Sequence, residues 1–231
     1  MQSLFGFGYG VVLVPLAAFV LPAETAVAIT IITSPSLALG LYAEHSPRTP
    51  VTQTWRLSLM AIAGFPLGLL LLTQADSDSL KLLIGAAVLI STIVTATRSD
   101  ATRPRRPDHP ALMITAGILS GAFRGAVSMP GPPVLLYQYW RGGAPNDIRG
   151  GMFTFNALLA VPVITITAIT GIISTTVLEF AAVALPGMFV GLVIGRTLRP
   201  HLSPARFHSL SMAGLFAAAG IGIASAATAL A

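Results

Sequence analysis

The chain has 231 residues, of which 54% are hydrophobic and only 9% are Asp, Glu, Lys or Arg, and its mean hydropathy is +0.81. A soluble domain carries about 25% charged residues, so this chain cannot cover a water-facing surface and reads as an all-α integral membrane protein without a separate soluble domain. It has no cysteine, which excludes disulfides and thiolate-held metal or iron–sulfur sites, and its net charge of +5 is gathered in short loops, which argues against a nucleic-acid surface.

Apolar segments near 4–20, 25–43, 56–73, 80–97, 111–128, 132–140, 151–171, 177–196 and 207–230 predict the membrane helices. At about 20 residues per crossing, the length admits about eight to ten spans. Met1-Gln2-Ser3 runs straight into Leu4-Phe5-Gly6 with no basic region, so no cleavable signal peptide is expected. Turns are marked by Leu21-Pro22-Ala23-Glu24, then Ser46-Pro47-Arg48-Thr49-Pro50, then Asp76 and Asp78. The longest polar stretch, Arg98 to Pro110, divides the chain near its middle. Beyond it come Gly142-Gly143-Ala144-Pro145 and His201-Leu202-Ser203-Pro204. Gly64-x-x-x-Gly68 and Gly187-x-x-x-Gly191 predict close helix packing, and the same glycines admit a homodimer interface.

The fifth and sixth segments are separated only by a break at Ser128-Met129-Pro130-Gly131-Pro132-Pro133. No helix runs straight through three prolines that lack donors and clash with the preceding turn. Broken backbone at membrane depth must be buried in protein or line a cavity. Basic residues flank both ends of 111–141, so the chain must enter and return. Residues 132–140 are too few for a full crossing at 1.5 Å per residue. The segment 111–141 therefore predicts a helical hairpin with its tip at Ser128–Pro133.

Eleven of the 13 basic residues lie in four loops: Arg48 and Arg56; Arg98, Arg103, Arg105 and Arg106; Arg141 and Arg149; Arg196, Arg199 and Arg206. The positive-inside rule makes these cytoplasmic, and makes loop 74–79 and loop 172–178 external. Features recur along the chain. Gly10 is matched by Gly131 at an offset of 121, while Pro22 and Pro145, and the two Gly-x-x-x-Gly pairs, are offset by 123. Each equivalent pair of loops carries charge of opposite implication. The prediction is an inverted repeat of two halves, each a broken or re-entrant helical hairpin plus three transmembrane helices, a common plan for secondary transporters. The halves are 1–100 and 111–231, joined by a basic cytoplasmic linker at 101–110. Only nine residues precede Gly10, so the first arm is short or the stated start is late.

Arg124 stands inside an apolar segment, where a charge costs about 2.5–3.5 kcal/mol on insertion scales. All eight acids lie in or beside loops. Arg124 reads as an anion-binding or gating group, or else as a side chain that snorkels or pairs with a distant carboxylate. Ser128 and Gly131 form the break, and a helix starting there turns its positive end and N–H groups toward the membrane centre; the alternative is a surface turn. Gly10 is the counterpart tip. Thr33 and Asn156, equivalent at offset 123, lie in apolar segments and can bond an oxyanion, as can Ser34 beside Pro35. Such groups also stitch helices together. Tyr137 and Gln138 follow the break and complete the candidates. No metal-ligand spacing, nucleotide loop or catalytic group is present, so no cofactor is expected and an enzyme is disfavoured.

The opening Gly6-Phe7-Gly8-Tyr9-Gly10-Val11-Val12-Leu13-Val14-Pro15 resembles the first signature of the TauE/SafE family of sulfite exporter-like permeases. Gly117-Ile118-Leu119-Ser120-Gly121-Ala122-Phe123-Arg124-Gly125, followed by Gly131-Pro132-Pro133-Val134-Leu135-Leu136-Tyr137, resembles the second. The chain departs from that pattern at Ala126–Pro130 and at Arg124, where a smaller or uncharged residue is more usual. The resemblance implies a multi-pass permease of the inner (plasma) membrane for sulfite, sulfonates or sulfoacetate-like anions. With no buried carboxylate for a proton relay, electrogenic uniport or coupling through substrate protonation is easier to reconcile with the residues. The alternative is a non-transporting membrane subunit whose basic loops anchor a soluble partner.

Overall fold

A computed structural model describes residues 8–44, 51–96 and 104–198, with positions 213 and 220. These contain eight α-helices and no strand: α1 Tyr9–Ala18, α2 Ala23–Glu44, α3 Val51–Gln74, α4 Ser77–Ala96, α5 Pro110–Val127, α6 Gly131–Arg141, α7 Pro145–Ile169 and α8 Thr175–Leu198. Six of them, all but α1 and α6, are long and apolar enough to cross a membrane. That is fewer than the eight to ten spans that length alone admits. One reason is that α1 and α6 have 10 and 11 residues, about half of a hydrocarbon core roughly 30 Å thick. The other is that, apart from positions 213 and 220, the predicted segment 207–230 lies outside the described residues.

Proline and glycine set the boundaries. Pro110 and Pro145 open α5 and α7 at the first helical turn, where a missing N–H costs nothing. Asp76 caps α4 by accepting the Ser79 N–H at 3.0 Å and the Ser79 hydroxyl at 2.7 Å, and these bonds, the hydroxyl's first, hold its carboxyl below the usual carboxylate range. Leu67, Leu70, Leu71, Ile93, Val183 and Val190 are exposed on the outside. Thr30, Ser91, Thr95 and Thr167 are buried within, each bonding a carbonyl one turn back on its own helix. This polarity suits lipid as the outer solvent.

At the centre α2 and α7 pack together, with α3 against α7 and α8 against α2. Around them α1 packs on α2 and α4, and α6 on α5, α4 and α7. One core cluster runs through α1 to α7, so the two halves of the sequence share a single interior. The tightest seam joins α3 to α5, across the midpoint of the chain. A Cβ on Gly64 or Gly68 would meet the backbone of Ile118 or Ala122, and one on Gly121 or Gly125 would meet that of Ala61 or Phe65. The first Gly-x-x-x-Gly thus packs as expected, and its partner is a second glycine row on α5.

The expectation for Gly187-x-x-x-Gly191 is corrected. A Cβ on either glycine has nothing within 4 Å among the described residues. The reason is rotational: α8 turns Val177, Ala181 and Met188 inward, against Ala28 and Ile29 or Leu37 and Leu41 of α2, which leaves both glycines exposed on another face.

Candidate functional site

The break is built by α5, which ends where Ser128 enters the left-handed region at φ 56. That conformation is uncommon for a residue with a Cβ. The Ser128 N–H donates to the Arg124 carbonyl at 3.0 Å and the Met129 N–H to that of Phe123 at 3.2 Å. The hydroxyl of Ser120, one helical stretch earlier, donates to the Pro130 carbonyl and pins the tip. The helix α6 then starts at Gly131. Of Pro130, Gly131, Pro132 and Pro133, only Gly131 has an N–H. A helix ordinarily leaves its first four N–H groups without an internal acceptor; here proline has removed all but one. The sequence expectation of several free N–H groups at this tip is corrected accordingly.

The second tip is the start of α1. Gly8 takes φ 117, a conformation open to glycine, and the first helical bond runs from the Val12 N–H to the Gly8 carbonyl at 3.3 Å. The N–H groups of Tyr9, Gly10 and Val11 therefore have no acceptor within α1. A Cβ on Gly10 would run into the Ser128 carbonyl, so the two tips meet main chain against main chain. Between them lies a cavity of about 20 Å³, lined by Gly8–Val11 of the first tip, Ser128–Gly131 of the second, and Ser34, Arg124 and Asn156.

Arg124 is only 2% exposed. One terminal nitrogen donates to Asn156 Oδ1 at 3.2 Å and the other to Ser34 Oγ at 3.0 Å. Asn156 Nδ2 donates to the Met152 carbonyl at 2.9 Å, which turns its oxygen toward the guanidinium. Helices α2, α5 and α7 thus hold the charge jointly, with neutral partners. Around this charge, two buried side-chain atoms have no hydrogen-bond partner among the described residues, Arg124 Nε and Ser128 Oγ. Both belong to residues that line the cavity. A planar guanidinium edge beside a hydroxyl and helix N-termini is chemistry suited to an oxyanion.

Six of the sequence candidates, Gly10, Ser34, Arg124, Ser128, Gly131 and Asn156, come together around this cavity. Three do not line it. Thr33 donates its hydroxyl to the Ile29 carbonyl at 2.8 Å, so in its 3.0 Å contact with Tyr9 it is the acceptor. It orients Tyr9 instead of facing the cavity. Tyr137 donates its hydroxyl to Asp108 Oδ1 at 3.1 Å, and Asp108 also takes Arg141 Nε at 2.7 Å. Gln138 packs its amide over Gly151, where a Cβ would come within 2.7 Å of it. Both follow the break in sequence, but face away from the cavity. They belong to a strap at the basic end of α6, which Arg105 with Asp147 at 2.8 Å and the Arg106 N–H on the Arg141 carbonyl at 2.7 Å complete. Gly8, Tyr9, Val11, Met129 and Pro130 also line the cavity and were not among the candidates; of these only Tyr9 has a polar side chain, and its one signal was an aromatic ring set between Gly8 and Gly10 at the counterpart of the break. Among the described residues, no three His, Asp or Glu side chains gather in a way that would hold a metal.

The family model of the sulfite exporter TauE/SafE matches residues 1–223. The chain belongs to the TauE/SafE family. A protein of Cupriavidus necator named "Probable sulfite/organosulfonate exporter TauE" is 24% identical over 211 residues, which cover 88% of this chain and 81% of that protein. No solved structure matches the chain. As a TauE/SafE member with six helices fit to span a membrane, it is a multi-pass transporter of small anions and not an enzyme. The anchoring-subunit alternative is not favoured.

Proposed function

We propose that the cavity between the tips of α1 and α6 is the substrate site of a secondary transporter, moving sulfite, sulfonates or sulfoacetate-like anions across the inner membrane by alternating access. The observation that carries this is the pair of buried, unpartnered groups, Arg124 Nε and Ser128 Oγ, on one cavity. Buried polar groups are nearly always bonded, and exceptions call for a reason. An oxyanion supplies acceptors to both and neutralises the guanidinium. The sulfite/organosulfonate exporter name of the relative supports a sulfur oxyanion as the substrate.

The same reading divides the chain into halves at 1–100 and 111–231, joined by 101–110, as an inverted repeat. It is supported by the half-length α1 and α6, which start on the same cavity, and by matched packing: α3 on α7, and α8 on α2. In such a plan α1 and α6 descend from opposite sides and present their positive ends at mid-membrane. Purified protein in liposomes provides the test. Labelled sulfite should cross, unlabelled sulfoacetate should compete, and a panel of carboxylates should compete less. Failure of every sulfur oxyanion to cross, with a carboxylate crossing instead, would overturn the substrate assignment.

A further inference from the structure

The cavity holds a full positive charge with no counter-charge beside it among the described residues. Both side-chain partners of Arg124, Asn156 and Ser34, are neutral, and no residue lining the cavity is acidic. Of the eight acids in the sequence, Asp100 lies outside the described residues, and the others stand in loops or within two turns of a helix end. Asp78, Asp108 and Asp147 are engaged there by Lys81, Arg141 and Arg105. The helix starts that face the cavity add positive potential. A cavity of about 20 Å³ has room for on the order of one water, so the tips have to part to admit an oxyanion.

We propose that this carrier is an obligatory anion exchanger, which crosses between its two open states only with an anion in the site, so that a second small oxyanion must ride the return leg. This rests on the reading of the cavity as the substrate site. Alternating access requires a moment when both gates are shut. With an oxyanion in place the guanidinium is paired and the Ser128 hydroxyl is satisfied. With the site empty, the same closure strips a lone charge of its water. A buried pair stripped of one partner is far less stable than a complete one. Carriers with an internal carboxylate can let it neutralise the arginine on the empty leg, and among the described residues no acid lines this cavity. The counter-substrate needs acceptor atoms for the guanidinium edge and the hydroxyl, so it is itself a small oxyanion or carboxylate.

The full chain is reconstituted in liposomes loaded with labelled sulfite, with potassium and valinomycin clamping the voltage. Efflux is followed into potassium polyglutamate, a polyanion too large to enter, with or without unlabelled sulfite outside. External sulfite should speed efflux by at least about tenfold, the consequence of an uncompensated buried charge on the empty leg. In Arg124→Gln, which removes the charge, that ratio should fall toward one. Equal wild-type efflux into both media would overturn the exchange proposal. That result leaves the substrate site standing as long as Arg124→Gln has lost sulfite affinity in equilibrium binding. Unchanged affinity in Arg124→Gln would remove the site and the exchange mechanism together.

Discussion

If the cavity is the substrate site, Arg124 is kept for binding at the expense of stability. A buried charge with neutral partners does little for the empty fold, and replacing buried charge by apolar groups is often neutral or stabilising by about 1–4 kcal/mol. Arg124→Ala should therefore keep or raise the melting temperature of the ligand-free protein while weakening sulfite binding by about 1.5–3 kcal/mol, the range for hydrogen bonds to charged groups. Lysine should restore only part of the affinity, because it lacks the planar fork. Thermal unfolding with and without sulfite reads both effects; a large loss of ligand-free stability in Arg124→Ala would make the residue structural. Ser128→Ala keeps the left-handed turn and removes only the hydroxyl, so it should cost about tenfold in affinity with little change in melting temperature. Unaltered affinity in an isothermal titration would take Ser128 out of the site. That these residues line one cavity was legible because a polar group inside an apolar run has to be offset by something. Tyr137 and Gln138 do not line the cavity, because adjacency to a break says nothing of facing: successive residues of a helix point about 100° apart. Tyr9 was hidden because an aromatic residue in a hydrophobic segment looks like core.

At the scale of helices, the α3–α5 seam and the face of α8 make opposite demands on glycine. Gly121 lies against the backbone of Ala61, while Gly187 faces open space among the described residues. Overpacking a filled interface costs about 1–3 kcal/mol and sometimes more, and backbone at the contact leaves no flexible side chain to give way. Gly121→Leu should abolish most of the monodisperse protein recovered on size exclusion, whereas Gly187→Leu should be recovered like the wild type. Equal yields from the two variants would refute the seam. Gly10 tests a different contact, the one between tips. Gly10→Ala adds a methyl group against the Ser128 carbonyl, so the protein should still fold while sulfite flux falls at least about tenfold through displaced tips. Wild-type flux would show that the tips need not touch. Glycine spacing in the sequence announced close packing at both Gly-x-x-x-Gly pairs, but spacing cannot say which face of a helix meets a neighbour. That depends on the rotation of α8 about its axis, which its apolar inward stripe decides.

For the whole molecule, membrane orientation ties the charge pattern to the site. The half-length helices α1 and α6 meet at their N-termini, and two such helices reach mid-membrane from opposite sides only if their far ends are in different compartments. The far end of α6 carries Arg141 and the basic strap and, by the positive-inside rule, should be cytoplasmic. The far end of α1 carries Leu21-Pro22-Ala23-Glu24 with no basic residue and should be external. Following the helices from there puts the Gln74–Ser77 turn outside and the 170–174 turn outside as well. The chain has no cysteine, so single cysteines report position without a background. Asp76→Cys and Ser174→Cys should be labelled by an impermeant maleimide on intact cells, and Ala144→Cys only after the membrane is opened. The sequence supported this arrangement through loop charges and a near-constant offset, because both survive without knowledge of packing. The junction of the halves was not visible, since the α3–α5 seam and the shared core cross the midpoint of the chain. Labelling of Asp76→Cys only from the cytoplasmic side would put α1 and α6 on the same side of the membrane. The two tips would then no longer enter the bilayer from opposite faces, and the inverted repeat, together with alternating access built on it, would fall.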